Sequence, residues 1–390
     1  MTAGPPRGKG AVSLSVQGGT QPRQLLEQLF QDLDFRPGRR VYVKPNLSGR
    51  APVIPGENRS VAVVDGLIEV LHGRGCQEVV IGHGALLCTR ENRVPFAESL
   101  RASGFDKYAR TGGVTLLDLD DLPRTKVQVE GMTLHLPLTF LDEVDTYINL
   151  AKIKSHMETT VSLSLKNQMG LPAPLDRARM HATDLELLIA HLGLHCRPDL
   201  NVVEGLPAME GDGPHHGTPR DLGWIAAGTD MVEVDTLVCT LLRIPPESVR
   251  HIGHAIDLGV GRPVDPTKAK QYRPFAIPDF RAAGEVHRFG RKVRAYPTYA
   301  CSRCIFVVQE AGRRIKGHPI MNSRLLAKAL VGGEKGVVFG RVDGQPVDES
   351  ANLLCIGSCA KAFADGRGLP CLDRCPPRID DVLDFFKEHM

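Results

Sequence analysis

The sequence predicts a mixed α/β fold, in which a mostly parallel sheet with flanking helices is followed by a small C-terminal α/β domain rich in cysteine. Three observations carry this expectation. Short β-branched runs alternate with helical patterns, one segment reads as a hairpin, and six of the ten cysteines lie beyond residue 300.

"RRVYVKPN" reads as a strand, "SVAVVDGLIEVLHGRG" as a helix with a glycine stop, and "EVVIGHG" as a second strand. A helix near "PFAESLRASG" and a strand "VTLLDLDD" follow. "KVQVEGMTLHLPLTF" predicts a hairpin turning at Glu130 and Gly131, placed as an antiparallel insertion or edge of the sheet. "DTYINLAKI" is then a strand, while "TTVSLSLKNQMG" and "DLELLIAHLGLH" read as helices. "LNVVEG" and "WIAAG" are further strands, with the helix "DMVEVDTLVCTLL" behind the second. These patterns predict a disordered segment over 1–24, an α/β domain over 25–261, a proline-rich linker over 262–297 and a cysteine-rich domain over 298–390. Within the last, "CSRCIFVVQEAGRRI", "SRLLAKAL" and "RIDDVLDFF" read as helices, "GVVFGR" and "NLLCIG" as strands.

With 390 residues, 42% hydrophobic and 24% charged, the chain has enough apolar content for more than one core. A net charge of +3, without blocks of like charge, argues against nucleic acid as a partner. No apolar run approaches the roughly 20 residues that span a bilayer, and the polar N-terminus lacks the apolar centre of a signal peptide. The expected setting is cytoplasmic, without a membrane partner.

Asn149 to Gly170, "NLAKIKSHMETTVSLSLKNQMG", brings Lys152, Lys154, His156 and Lys166 into an otherwise apolar stretch. Burying such charges is costly unless they are paired or line a cleft. In open α/β sheets ligands collect beyond the carboxyl ends of the strands. Lys44 and Asn46, Lys154 and His156, Glu204, and Asp230 all follow predicted strands. Lysines and amides together suit a carboxylate or phosphate, so a small anionic substrate is expected. The plainer alternative is that the lysines reach the surface and the asparagines cap turns. His156 and His181 could act as general bases or metal ligands, or be structural. A glycine-rich loop, "EGDGPHHGTPR", lacks the Gly-Lys-Ser/Thr ending of a phosphate loop and reads as a turn.

The cysteines of the tail suggest metal chemistry. Cys301 and Cys304 form a C-x-x-C pair, and Cys359 and Cys375 come singly from later loops. Four thiolates suit a 4Fe-4S cluster, with zinc the runner-up, and a cysteine followed by proline favours the cluster. Cys355, inside an apolar strand, and Cys371 are the spares.

Four ordered motifs, "VYVKPNLS", "INLAKIKSHMETTVSLSLKNQMG", "VVEGLPAMEGDGPHHGTPR" and "AAGTDMVEVDTL", together resemble the family catalogued as domain of unknown function 362, over about residues 40 to 260. The resemblance implies an α/β fold, a site at Lys44, Asn46, Lys154, His156, Lys166, Asn167, His181 and Asp235, and frequent iron-sulfur ligation. It implies no particular reaction. "DRCPPRIDDVL" is also similar to the "GCPPRPE" element of iron-sulfur small subunits in respiratory complex I and hydrogenases, with Asp-Arg in place of the residue pair before its cysteine. The expectation that joins these readings is a redox enzyme. In it Lys154, His156, Lys166 and His181 serve chemistry, while Lys44, Asn46, Asn167, Glu204, Asp230 and Asp235 bind substrate, with a redox partner protein. A metal-assisted non-redox enzyme and a non-catalytic iron-sulfur carrier are the alternatives.

Overall fold

The computed structural model describes residues 12–47, 60–84, 95–181, 183–214, 217–283, 287–288, 293–296, 300, 302–317, 333–340, 342, 347–348, 351–375 and 377–389. The chain divides into two compact units between Ala283 and Gly284.

The first unit opens with β1 (Val12–Val16), α1 (Pro22–Asp32), β2 (Arg40–Lys44), α2 (Val61–Gly73), β3 (Glu78–His83), α3 (Phe96–Ser103) and β4 (Val114–Asp118). A hairpin of β5 (Thr125–Val129) and β6 (Met132–Leu136) leads through α4 (Leu138–Glu143) to β7 (Thr146–His156). After it come β8 (Thr160–Ser162), α5 (Ser164–Asn167), α6 (Pro174–Met180), α7 (Leu185–His195) and β9 (Leu200–Glu210). The unit ends with β10 (Thr218–Arg220), β11 (Trp224–Gly228), α8 (Met231–Leu241), α9 (Arg250–Asp257) and α10 (Pro266–Gln271).

Its main sheet has the order β1-β11-β9-β7-β2-β3-β4, with β8 added to β7 and β10 to β9. From β9 to β4 all neighbours are parallel, while β11 and β1 are antiparallel. The chain lays down β2, β3 and β4 in one direction, then returns to place β7 and β9 on the other side of β2. A topological switch point therefore lies between β2 and β7, where the connections on the two sides diverge and leave a crevice beyond the carboxyl ends.

Every residue of β7 is buried, as expected for a central strand covered on both faces. Alternation sends Val41, Val43, Ile148 and Leu150 into the core beneath α1 and α2. Tyr42, Tyr147 and Ala151 point into the other core, beneath α5 and α7 to α9. The same parity divides the lysines: Lys44 shares the face of Tyr42, whereas Lys152 shares that of Leu150. Lys152 meets Glu204, its register neighbour on β9, at 2.6 Å with both side chains fully buried. Glu204 further accepts the backbone N–H groups of Leu206 and Ser60.

Four sequence expectations need correction. Residues 12–16, expected to be disordered, form β1 at the sheet edge, because β11 offers a complete antiparallel register to them. The hairpin turns at Glu130 and Gly131, both at positive φ, but among the described residues β5 and β6 pair only with each other, outside the main sheet. "TTVSLSLKNQMG" is not one helix: its β-branched start folds back on β7 as β8, leaving α5 a single turn. The expected linker also contributes structure, since α10 and Phe280 pack on the first core and Arg281 binds Glu210.

The second unit holds a five-stranded sheet of β12 (His287–Arg288), β13 (Val293–Tyr296), β14 (Lys335–Phe339), β15 (Asn352–Ile356) and β16 (Cys371–Leu372). Helices Ser302–Gly317 and Ile379–His389 accompany it. "SRLLAKAL" lies outside the described residues.

The Lys152–Glu204 pair yields a stability prediction. Lys152→Met leaves a carboxylate buried without its counter-charge and should cost about 3–5 kcal/mol. Adding Glu204→Gln should recover part of that loss, since no buried charge remains and the carboxamide oxygen still accepts one of the two N–H groups. Urea unfolding midpoints check this, and a single-variant loss below about 1 kcal/mol would refute the assigned weight of the pair.

Candidate functional site

Lys44 ends β2 at the switch point, with only 2% of its surface exposed. Among the described residues no carboxylate pairs with its ammonium, and the charge acting on it is the guanidinium of Arg177. Burial first, and Arg177 second, lower the Lys44 pKa from 10.5 to about 7. The floor beside it is backbone. A Cβ on Gly170 would sit 2.8 Å from Lys44 Nζ, and one on Gly84 would sit 2.8 Å from Arg177 Nη1 and 2.7 Å from the Gly170 carbonyl oxygen. Glycine at both positions permits this approach.

His83 ends the neighbouring strand β3 and is buried there, its Nε2 3.4 Å from Ser99 Oγ. Burial, then Lys44 and Arg177, push its pKa down to about 3, so the imidazole is neutral at physiological pH. Arg177, on α6, donates through Nη2 to both oxygens of Asp120, at 2.9 and 3.1 Å. Its Nε is buried without a hydrogen-bond partner among the described residues. Arg124 also reaches Asp120 and donates to the carbonyls of Leu119 and Leu171. A near-neutral amine, a neutral imidazole and a fixed guanidinium thus gather at the ends of β2 and β3. Such a set can bind an anion and exchange a proton with it.

A second feature crosses the sheet. Lys44, Asn149, Asn201 and Gly228 form one register row over β2, β7, β9 and β11. Asn149 and Asn201 are fully buried and joined by a 2.9 Å hydrogen bond. Asn167 donates to Asn149 Oδ1 at 2.8 Å, and Asn46 donates to Asn167 Oδ1 at 3.1 Å.

The other expected site residues are more dispersed. Lys154 is buried at the end of β7, opposite Ser162 and Met209. His156 accepts from the backbone N–H groups of Glu158 and Thr159 through Nδ1. Lys166 is buried on α5, its pKa lowered by burial against the pull of Glu158 and Glu186. His181 follows α6 and approaches Glu158 at 3.2 Å. Three acidic residues have structural tasks. Glu204 is engaged with Lys152 on the opposite face from Lys44, and Asp230 caps α8 through the N–H groups of Val232 and Glu233. Asp235 accepts from Ser164 and Leu165 at the start of α5, and burial raises its pKa to about 7. His83, Arg177, Asn149 and Asn201 were not anticipated. His83 carried the same signal as Lys44, a polar residue ending a strand; Arg177 had none.

In the tail, Cys304 is buried and Cys359 and Cys375 are exposed, while Cys301 lies outside the described residues. Among the described residues no three His, Cys, Asp or Glu side chains form a group that could hold a metal ion. Cys304 does adjoin the turn leading to Cys359, since a Cβ on Gly357 would lie 3.4 Å from its Sγ. Cys355 faces Cys371 across the β15–β16 register, and burial pushes its thiol up to about 12, which fits packing rather than ligation. His215 and His216 also lie outside the described residues. Among the described residues no helix is long and apolar enough to cross a membrane.

The Lys44 environment makes a pH prediction. The unfolded chain keeps the lysine proton up to about 10.5 and the folded chain only to about 7. Between these values the unfolded state binds more protons, so this residue makes stability rise with pH. Lys44→Met should therefore be more stable than the parent at pH 6, with the gap narrowing from pH 7 towards 10. Melting temperatures of both proteins across that range test it, and a gap independent of pH would contradict it.

Comparison with known proteins places the chain among relatives. It is 28% identical to a thylakoid-associated protein of Synechocystis sp. over 266 residues, 66% of this chain and 78% of that protein. The apoprotein of lactate racemase from Thermoanaerobacterium thermosaccharolyticum aligns with a TM-score of 0.40 and 11% identity, over 57% of this chain and 55% of its own. A structural-genomics protein of Thermotoga maritima aligns with a TM-score of 0.39 and 13% identity, over 92% of this chain and 93% of its own. The model of the family described as Domain of unknown function (DUF362) matches residues 41–240, and the chain belongs to that family.

Proposed function

We propose that the chain is an enzyme that binds a small anionic substrate at the switch point between β2 and β7 and uses Lys44 to move a proton. The supporting observation is the placement of Lys44: a buried amine at the carboxyl edge of a parallel sheet, with no carboxylate partner among the described residues and with Arg177 beside it. A cation so placed gains from a ligand that supplies the missing negative charge. With a pKa of about 7 the amine populates both protonation states at neutral pH, as a general base requires. Arg177 supplies a permanent charge and a directed donor. Binding of inorganic phosphate and of acetate, measured by calorimetry, tests the reading. The parent protein should bind at least one of them, and Lys44→Met and Arg177→Met should each weaken binding at least about tenfold. Failure of the parent protein to bind any small carboxylate or phosphate would overturn it.

For the tail we infer a 4Fe-4S cluster on Cys301, Cys304, Cys359 and Cys375, supported by the packing of Cys304 against the turn that leads to Cys359. When bound, such a cluster supplies one-electron transfer, and the enzyme would then be an oxidoreductase with a redox partner. Anaerobically purified protein should contain iron and sulfide, and Cys304→Ala should lose both. Zinc without iron would favour a structural tail and a non-redox enzyme.

A further inference from the structure

The carboxamides that cross the sheet have a direction. Asn201 Nδ2 donates to the carbonyl of Gly228 on β11, a group that can only accept. Its Oδ1 is thereby turned to β7 and accepts from Asn149 Nδ2, which also donates to the Ser164 carbonyl at 2.9 Å. Asn149 Oδ1 accepts in turn from Asn167 Nδ2, itself within 3.4 Å of the Lys44 carbonyl and 3.5 Å of that of Leu150. Asn167 Oδ1 accepts from Asn46 Nδ2. Each inner amide is thus oriented by at least one backbone carbonyl, and none can be reversed without setting oxygen against oxygen.

The last member inherits that direction. With its NH₂ group turned to Asn167, Asn46 presents its Oδ1, and this oxygen is buried without a hydrogen-bond partner among the described residues. It stands two residues beyond Lys44, at the same end of β2. A buried acceptor of fixed orientation at this edge calls for a donor from outside the fold.

We infer that Asn46 determines specificity by accepting a hydrogen bond from a hydroxyl or ammonium group on the bound anion, its oxygen held in place by the amide chain that begins at Gly228. This rests on the anion site proposed above and narrows its substrate class. The ligand is a small carboxylate or phosphate ester that also carries a hydrogen-bond donor, a hydroxy or amino acid being the simplest form. An analogue without the donor leaves Asn46 Oδ1 unpaired, and sites built to bond a hydroxyl discriminate strongly against its loss.

Two probe pairs test the inference by calorimetry: glycolate against acetate, and glycerol 3-phosphate against propyl phosphate. The parent protein should bind the hydroxylated member of one pair at least about tenfold more tightly, and the pair that binds identifies carboxylate or phosphate as the anion. Asn46→Ala should bring that ratio within about twofold while still binding the hydroxyl-free member, whereas Lys44→Met should lose both. Equal affinity of the parent protein for the two members overturns the inference and leaves the anion site standing, and this arm needs no variant to fold. An undiminished preference in Asn46→Ala overturns it as well. Binding of no member of either pair overturns the anion site and this inference together.

Discussion

Strand β7 runs between β2 and β9 with no residue exposed, so every polar group it carries must be satisfied from within the fold. That requirement organises the first unit. Lys152 is met by a carboxylate on the next strand, and Asn149 by amides on both sides. A strand of ordinary apolar sequence would ask nothing of its neighbours beyond shape. This one imposes partners on β9 and α5, and through Asn167 of α5 reaches Asn46 after β2, so that it ties together the elements that meet at the switch point.

The pleat then separates two kinds of chemistry. On the face beneath α1 and α2, Lys152 and Glu204 neutralise each other, and Glu204 uses its remaining capacity on backbone donors. On the face covered by α5, Lys44 pairs with no such carboxylate among the described residues, and the charge acting on it is that of Arg177. Two lysines on adjacent strands therefore differ in role because the pleat turns them to opposite faces. The first is a structural pair, and the second is the electrostatic centre of the candidate site.

Much of this was legible locally. Alternation of β-branched and helical segments located β2, β3, β4, β7, β9 and β11, and the strand-end rule singled out Lys44 and Asn46. Position in the sheet was not legible, because register is a long-range property. Val12 finds its partner at Gly228, more than two hundred residues away, and β1 carries no local sign of it. Asn149 and Asn201 look unremarkable until β7 and β9 are set side by side. For the same reason Lys152 read as part of one cleft with Lys44, although the pleat sets the two on opposite faces of the sheet. Arg177 reaches the site from a short helix whose pattern reflects only its own packing.

Gly84 and Gly170 leave bare main chain where Lys44 and Arg177 come together. Room and basicity are consequently coupled at this spot. A methyl group on Gly170 would lie 2.8 Å from the amine and displace it from the surroundings that lower its affinity for protons. No side chain can be set on Gly170 without also changing the acid strength of the amine beside it.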